Sequence, residues 1–406
     1  MTEKHKSDWD PKSELADRDQ LTVYDEMRNR CPVAYSDAQG WSIFRHDDVT
    51  TILKDHQSFS SAVSQHLSVP NGMDPPEHTA YRQMIERYFV PDRIAAFEPT
   101  CRRIAEELID SVIVDDNHCD VEVMSKLASQ FAARSQCTSL GWPIALHAEL
   151  IQWVGRNQQA IRDSDRPAMS LLAREFEAIV DAQIDLRIAE QNNEKNAEQR
   201  QEPNNAQADI TASLMQEHVH GRKLSSEELS SILRNWTVGE IGTIAASIGI
   251  LIYHLAQSSE LQQHLRADPS QLATGIDEIL RVHNPLVINR RMTTCPVQIQ
   301  GRKIDAGERI SLNWVSANRD ENVIKDADQI RLDRDPSHNL LYGAGIHVCP
   351  GAPLARMELR VFLESLFNRT VWIASQPGEA PVFASYPASG FSQLPVRLTR
   401  AAVRPT

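Results

Sequence analysis

The strongest indication of chemistry in this sequence is the segment Tyr342-Gly-Ala-Gly-Ile-His-Val-Cys-Pro-Gly-Ala-Pro-Leu-Ala-Arg356, which contains Cys349. Its glycines allow the backbone to approach a large flat group closely. The residues that follow the cysteine, 350–367, have the spacing of an amphipathic helix, and Pro350 suits its first position. Cys349 would then lie near the N-cap, where unpaired amides and the helix dipole favour a thiolate. Because soft transition metals prefer thiolates, the segment predicts a metal ligand.

A cysteine near a helix start, taken alone, is more often a small buried apolar residue than a metal ligand. The surroundings of Cys349 argue for the ligand: two glycines and His347 precede it, Gly351 follows it, and Leu-Ala-Arg closes the motif. This combination resembles the haem-binding signature of the cytochrome P450 family. The resemblance implies that Cys349 binds the iron of haem b. It also implies that neighbouring residues of the segment contact this cofactor: Tyr342, Gly343, His347 and Gly351.

Haem carries two propionate carboxylates, and burying them without cationic partners would be very costly. The resemblance assigns four basic residues to them. His78 and Arg82 lie four positions apart on one predicted helix, Arg290 follows Arg281 by nine positions, and His347 precedes the cysteine by two. Ordinary surface salt bridges are the alternative interpretation of His78 and Arg82.

A long helix is predicted from Ser225, where Ser225 and Glu228 have the spacing of a capping box, to about Ala256. Gly239 and Gly242 lie near its middle, and each should cost about 1 kcal/mol relative to alanine. Close helix packing or room for a ligand must offset this cost. In the family that the chain resembles, the corresponding helix crosses the oxygen-binding face of the haem.

Thr243 occupies the position of the family's catalytic threonine, 35 residues before Glu278, but Gly242 stands where an acid usually precedes it. Glu240 and Thr243 are i, i+3 neighbours, so Glu240 could act with Thr243 through a water molecule. It could instead face the substrate cavity or bond a neighbouring backbone group. A second departure is Tyr342 in place of phenylalanine: its hydroxyl needs a partner or solvent, and could alter hydrogen bonding to the thiolate or face outward. Thr243 and Glu240 are the predicted catalytic residues.

Glu278 and Arg281 lie one helical turn apart and can form a charge-assisted pair. The resemblance gives this pair a structural role in supporting the cysteine loop. It also predicts a substrate pocket from matched regions, mostly small or apolar, which suggests a modest hydrophobic substrate. Residues 235–240 (Asn-Trp-Thr-Val-Gly-Glu) look like the branch that dealkylates or hydroxylates small aromatics and thiocarbamates. The predicted pocket residues are Thr237, Val238, Gly239, Leu286, Val287, Asn289 and Phe391.

The predicted fold is mainly α with minor β, a cytochrome P450-type fold with a small sheet region. Helices are expected at 14–30 and 47–55, a strand at 40–45, and a small sheet at 290–312. No repeat or Pro/Gly-rich hinge divides the 406 residues, which predicts one catalytic domain, 1–406. The polar tract between Arg187 and Asp209 is interpreted as a solvated helix end plus a flexible loop, at about 190–208, which is internal and not a domain linker.

A net charge of −13 without a long basic run argues against nucleic-acid binding. The six cysteines are too scattered for a disulfide framework or a zinc site. The first residues show neither a signal core nor a membrane anchor, and the apolar stretch 241–256 is shorter than the roughly 20 residues of a membrane span. We therefore expect a cytoplasmic monomer without membrane contact.

The resemblance implies a haem-thiolate monooxygenase that inserts one oxygen atom of O2 into a small hydrophobic, for example aromatic, substrate by hydroxylation or oxidative dealkylation. Since the sequence has no flavin or nicotinamide fingerprint, electrons should come from a ferredoxin and an NAD(P)H-dependent ferredoxin reductase. Two alternatives remain. A haem-thiolate enzyme that reduces a gas or uses a peroxide is favoured by Gly242 at the acid's position. A haem sensor or binding protein is the other.

Overall fold

The computed structural model describes residues 5–113, 118–196 and 209–401. The chain is mainly helical, as predicted, and small sheets lie beside the helices. The α-helices of the described residues are α1 Glu14–Arg18, α2 Gln20–Arg30, α3 His46–Lys54, α4 Glu77–Glu86, α5 Pro91–Val112, α6 Ser129–Leu140, α7 His147–Asp163, α8 Arg166–Asn196, α9 Ile210–Leu214, α10 Ser226–Gln257, α11 Ser259–Ala267, α12 Leu272–Val282, α13 Trp314–Ala317 and α14 Ala352–Arg369.

The strands are short and belong to small sheets. Their bounds are β1 Val33–Ser36, β2 Gly40–Ile43, β3 Phe59–Ser60, β4 His118–Glu122, β5 His218–Val219, β6 Arg222–Lys223, β7 Ile288–Thr293, β8 Val297–Ile299, β9 Arg302–Ile304, β10 Arg309–Asn313, β11 Thr370–Ser375, β12 Val382–Phe383, β13 Phe391–Gln393 and β14 Pro395–Arg400. A five-stranded sheet has the order β1-β2-β10-β7-β3, and a three-stranded sheet has the order β11-β14-β4. The predicted sheet at 290–312 therefore exists, and an early strand extends it.

The long helix α10 begins as predicted. Ser225 is its N-cap, and the side chains of Ser225 and Glu228 each bond the other residue's backbone N–H in a complete capping box. Within the described ranges, α10 is the one helix long and apolar enough to cross a membrane by length and composition. Of the residues in its most apolar 18-residue stretch, 61% are buried inside the protein, which is typical of a core helix.

The predicted helix at 14–30 is interrupted at Asp19, which ends α1 and begins α2. The carboxylate of Asp19 accepts a hydrogen bond from the amide of Thr22 at 3.1 Å. Such a local side-chain bond competes with helical pairing and favours a cap at this position. The helix end predicted in the polar tract is present, because α8 continues through Asn196. The remainder of that predicted loop, 197–208, lies outside the described residues.

The helix after the cysteine begins later than predicted. Its N-cap is Gly351 and its first residue is Ala352, so Cys349 lies two residues before the cap. Pro350 belongs to the preceding turn, and Pro353 is the proline of the first helical turn, where its missing N–H needs no partner. The sequence offered two prolines compatible with a helix start, and local pattern alone did not distinguish them.

Candidate active site

One large cavity, of about 1680 Å³, extends between α10, β7 and the segment that contains Cys349. Its volume exceeds the roughly 300–1,000 Å³ typical of a pocket for one small ligand. Cys349 is exposed to it. The middle of α10, including Gly239, Glu240 and Thr243, forms another part of the wall. The cavity is therefore large enough for a sizeable cofactor together with a substrate.

The loop that carries Cys349 is held by backbone geometry. The amide of Cys349 donates to the carbonyl of Tyr342 at 2.9 Å. Gly345 has a φ of +71°, and a Cβ at this position would clash with the carbonyl oxygen of Leu53. Only glycine combines this left-handed conformation with so close a backbone approach. The segment preceding the cysteine therefore packs directly against the end of α3.

Burial raises the pKa of the Cys349 thiol, while the amides of Gly351 and Ala352 partly oppose this effect by bonding to the sulfur. The expectation that the helix start alone would favour a thiolate is therefore wrong, because desolvation outweighs the two amides. A cation at the sulfur would reverse the balance, since metal binding releases the ligand's proton. The ionisation of this thiol therefore depends on what binds to it.

Several basic side chains lie together beside the cysteine loop. The rings of His78 and His347 have centroids 4.3 Å apart, and His347 Nε2 lies 2.9 Å from Ser61 Oγ. Nε2 of His78 is buried and lacks a hydrogen-bond partner among the described residues. Burial, Arg291 and His78 lower the pKa of His347 to about 3. This region has a surplus of donors for an anionic group.

Arg291 belongs to this region, although the sequence analysis selected Arg290. Arg291 is 6% exposed and contributes to the cavity wall, yet it makes no ion pair within the described ranges. Arg290 lies in the same cavity wall, but its Nη2 donates to the hydroxyl of Tyr386 at 3.2 Å. Adjacent strand residues point to opposite faces of the sheet, so Arg291 lies near His347 while Arg290 lies near Tyr386. Counting from Arg281 could not determine which arginine faces His347.

Arg82, the remaining predicted propionate partner, lies close to the loop. Its Nε donates to Glu86 Oε1 at 2.7 Å, and its Nη1 donates to the carbonyl of Val348 at 2.6 Å. It thus connects α4 to the residue immediately before Cys349. The ion pair with Glu86 is the kind of surface salt bridge that the sequence analysis gave as the alternative to propionate binding. The bond to Val348 additionally holds the cysteine loop against α4.

The predicted catalytic residues both contribute to the cavity wall. Thr243 Oγ1 donates to the carbonyl of Gly239 at 2.5 Å. The carboxyl of Glu240 is hydrogen-bonded to that of Glu358 on α14, and burial raises the pKa of both groups. Two carboxyls this close in a buried position cannot both ionise readily, so they share at least one proton. Glu358 was not identified from the sequence, because nothing local shows that α14 faces α10.

Tyr342 also contributes to the cavity wall. Its hydroxyl is buried and has no hydrogen-bond partner within the described part of the chain. Burial raises the pKa of this phenol, so it remains protonated. The guanidinium of Arg356 lies over its ring at 4.4 Å from the centroid. Gly343 and Gly351 lie in the same wall, and Gly351 is close enough that a Cβ would be 3.9 Å from the sulfur of Cys349.

The predicted substrate pocket is partly assembled. Val238, Gly239, Leu286, Asn289 and Phe391 contribute to the cavity wall. The structure places Thr237 and Val287 outside it, both fully buried.

The displacement of those two residues has a local cause. Successive side chains on a helix are turned by about 100°, so Thr237 points away from the direction of Val238. There its Oγ1 accepts a hydrogen bond from Gln136 Nε2 at 3.3 Å. Val287 packs in a cluster with Trp9, Tyr24 and other residues near the N-terminus.

Glu278 and Arg281 form a buried pair with bonds of 2.8 and 2.9 Å. Arg334 also donates to Glu278, at 2.8 Å, and Arg281 donates to the carbonyl of Asn318 at 2.6 Å. Burial would raise the pKa of Glu278, but hydrogen bonds from the two arginines lower it. The network ties α12 to the long irregular segment that leads to Cys349. Arg334 was not identified from the sequence, because 56 residues separate it from its partner.

Comparison with known proteins agrees with this geometry. The family model described as Cytochrome P450 matches residues 146–396. The chain is 28% identical over 344 residues to cyclomarin C epoxidase CymV of Salinispora arenicola, covering 81% of this chain and 83% of that protein. It is 29% identical over 365 residues to mycinamicin IV hydroxylase/epoxidase of Micromonospora griseorubida, covering 85% and 87%. CYP109E1 from Bacillus megaterium in complex with testosterone superposes with a TM-score of 0.76 at 27% identity, covering 93% and 99%.

Proposed function

Since the chain belongs to the cytochrome P450 family, whose members are haem b-dependent monooxygenases, we propose that it oxygenates a small hydrophobic substrate by hydroxylation or oxidative dealkylation. The observation that carries the proposal is the position of Cys349, which is exposed to the same cavity as the middle of α10. The cavity wall between them includes apolar side chains such as Leu286 and Phe391, which suits a hydrophobic substrate.

The residues of the site fit haem b. Cys349 would hold the haem iron through its sulfur, and haem when bound supplies the activation of dioxygen. Arg291, His78 and His347 are neighbouring hydrogen-bond donors, and none of them forms an ion pair with a carboxylate among the described residues. Such a set of donors suits the two haem propionates. Arg82 supports the loop at Val348. Tyr342, Gly343 and Gly351 are proposed to lie against the cofactor.

Thr243 and Glu240 are proposed to hold and transfer protons. The Thr243 hydroxyl donates to Gly239 and keeps its oxygen lone pairs free to accept a bond from water. Glu240 shares a proton with Glu358, and its Oε1 has no bonding partner in the described structure. The buried pair is a proton reservoir one helical turn from Thr243, which supports its use in place of the acid missing at Gly242.

Electrons are proposed to come from a ferredoxin and an NAD(P)H-dependent ferredoxin reductase, and the protein is proposed to act as a cytoplasmic monomer. Reconstitution with such partners and O2 labelled with oxygen-18 tests the function. We expect one labelled oxygen atom in each product molecule. Product without label, or oxygen uptake without product for every substrate tried, would contradict the proposal.

The iron ligand is tested separately by the reduced carbon monoxide complex of the holoenzyme. A red-shifted Soret band is expected for the wild type, and Cys349→Ala should lose it because the thiolate donor is gone. Cys137→Ala is the matched control, since Cys137 is a free thiol on α6 that packs among the helices and does not contribute to the cavity wall. An unshifted wild-type band would overturn the assignment of Cys349.

One observation favours a second function, a haem-thiolate enzyme that uses a peroxide or reduces a gas. Gly242 lacks the acid usual beside the threonine, and such reactions depend less on proton delivery to O2. The labelling experiment distinguishes the two functions: peroxide-supported product without oxygen from O2 would favour the second.

A further inference from the structure

A group of four arginines lies at one end of the cavity. Arg162 is in the last turn of α7 and Arg166 begins α8, while Arg290 and Arg309 belong to the neighbouring strands β7 and β10. Arg162 and Arg290 contribute to the cavity wall, as does Tyr386. We call Arg162, Arg166, Arg290 and Arg309 the arginine cluster. It joins the surface to the cavity, since Arg166 is exposed and the other three are half-buried.

The register of the sheet brings two of these arginines together. Arg290 pairs with Ser311, and Arg309 is two residues from Ser311 on β10. Residues in this diagonal relation share a face of the sheet and are about 7–8 Å apart at the backbone, within reach of long side chains. Arg162 and Arg290 both bond Tyr386, since Arg162 Nη1 donates to its carbonyl at 3.0 Å and Arg290 Nη2 donates to its hydroxyl. Burial, Arg290 and Arg166 lower the pKa of Arg309, in keeping with this grouping.

Few carboxylates neutralise the positive charge of the arginine cluster. Arg162 Nη2 lies 2.6 Å from Asp17 Oδ2, and this is its one ion pair in the described ranges. Arg290 Nη2 donates to the hydroxyl oxygen of Tyr386 and not to a carboxylate. Neither Arg166 nor Arg309 makes a side-chain hydrogen bond or ion pair in the part of the chain that the structure describes.

Such a surplus of positive charge is unusual in this protein, which has 55 acidic and 42 basic residues. Like charges held together at a partly desolvated site repel one another, and an anion that bonds to them removes this cost. Guanidinium groups present forked donors that match a carboxylate in two-point geometry. The neighbouring wall is apolar at Leu286, Val382 and Phe383, so an anion bound here would adjoin a hydrophobic passage.

We propose that the substrate is an amphipathic organic carboxylate. Its carboxylate binds Arg290, supported by Arg309 and Arg162, and its apolar part extends along the cavity towards Thr243. This inference rests on the proposed monooxygenase function and specifies its substrate class. Arg290 thereby selects an acid over a neutral analogue and determines which end of the molecule reaches Thr243.

The test measures binding by the haem-containing protein with acid and amide pairs of equal shape: decanoic acid with decanamide, and 4-butylbenzoic acid with 4-butylbenzamide. Isothermal titration calorimetry does not require turnover, so it remains informative if oxygenation fails. We expect at least one acid to bind more tightly than its amide. Arg290→Gln and Arg309→Gln should each weaken binding of that acid, by roughly 10- to 100-fold for Arg290→Gln, and leave amide binding unchanged.

Arg103→Gln is the matched control, because Arg103 is an exposed arginine on α5 that pairs with Glu107 and does not contribute to the cavity wall. It should retain the acid preference. Equal binding of acids and amides by the wild type would overturn the proposal, as would tighter Arg290-dependent binding of decyl phosphate than of decanoate. Loss of haem from Arg290→Gln would also overturn it, since Arg290 would then be a propionate ligand. Oxygenation of a neutral substrate by an enzyme that shows no preference for acids would contradict the carboxylate inference but leave the proposed monooxygenase function intact.

Discussion

At the scale of single residues, the site contains two distinct chemical groups, the thiol of Cys349 and the carboxyl pair of Glu240 and Glu358. Cys349 is exposed to the cavity, and burial keeps its thiol protonated until a metal binds. Burial raises the pKa of both Glu240 and Glu358, so this hydrogen-bonded pair shares at least one proton. We propose that this pair, contributed by two helices, acts in place of the acid missing at position 242.

Glu240→Gln should keep the shape of this pair and remove one acidic group. We expect the holoenzyme to consume O2 at a similar rate, while the product formed per O2 falls by about 10²-fold, in the range of general acid–base catalysis. The ratio of product to O2 consumed is the measurement.

The control for this substitution is Glu260→Gln, because Glu260 lies exposed at the start of α11. It should couple O2 consumption to product as the wild type does. Unchanged coupling in Glu240→Gln would show that protons reach Thr243 by another route.

At the scale of elements, α10 is fixed by its first turn. Glu228 accepts from the amide of Ser225 at 2.7 Å, from Arg222 at 2.8 Å and from the hydroxyl of Tyr81. The bond from Arg222 is the largest cause that lowers the pKa of Glu228 to about 2. One carboxylate therefore caps α10 and joins it to α4 and β6, which helps to place Gly239 and Thr243 against the cavity.

Glu228→Gln should lower the free energy of unfolding by about 1–2 kcal/mol at neutral pH, a value reduced for the solvent exposure of Arg222. Because the folded pKa lies below the ordinary value of 4.5, the stabilisation is present above about pH 4.5 and is lost as the pH falls towards 2. Urea denaturation at several pH values measures it.

Glu227→Gln is the comparison, since Glu227 occupies the same first turn and is exposed. We expect a difference from the wild type of a few tenths of a kcal/mol. A Glu228→Gln variant whose stability deficit persists unchanged at pH 2 would refute the role assigned to the ionised carboxylate.

At the scale of the whole molecule, sheet pairing joins distant parts of the chain. β2 near the N-terminus pairs in parallel with β10, and β4 pairs with β14 near the C-terminus. α14 and α5 pack against each other in the same core cluster. Neither half of the chain can complete its sheets without the other, which supports a single catalytic domain.

We therefore expect one unfolding transition for the described core. Helix content followed by far-ultraviolet circular dichroism and tryptophan environment followed by fluorescence should change at the same urea concentration. The tryptophans are well placed for this comparison, because Trp41 lies in the sheet region and Trp153 lies among the helices. Two separate transitions would show that these regions unfold independently.

Much of the site could be predicted because its determinants are local. The cysteine loop, the capping box at Ser225 and the pair Glu278–Arg281 each depend on residues close in sequence, where turn and helix geometry leave few alternatives. The start of α14 was misplaced by two residues, since two prolines were equally compatible with a first turn.

The sequence by itself determined the family, the cysteine exposed to the cavity and the long helix that shares the cavity wall with it, because a short motif and helical periodicity define these features. Only the tertiary structure decided that Arg291 faces His347, that Glu358 meets Glu240, and that an arginine cluster forms between two helices and two strands. The physical reason is that strand register and helix packing bring together residues far apart in the chain, and no local pattern records which long-range partner a buried charge will meet.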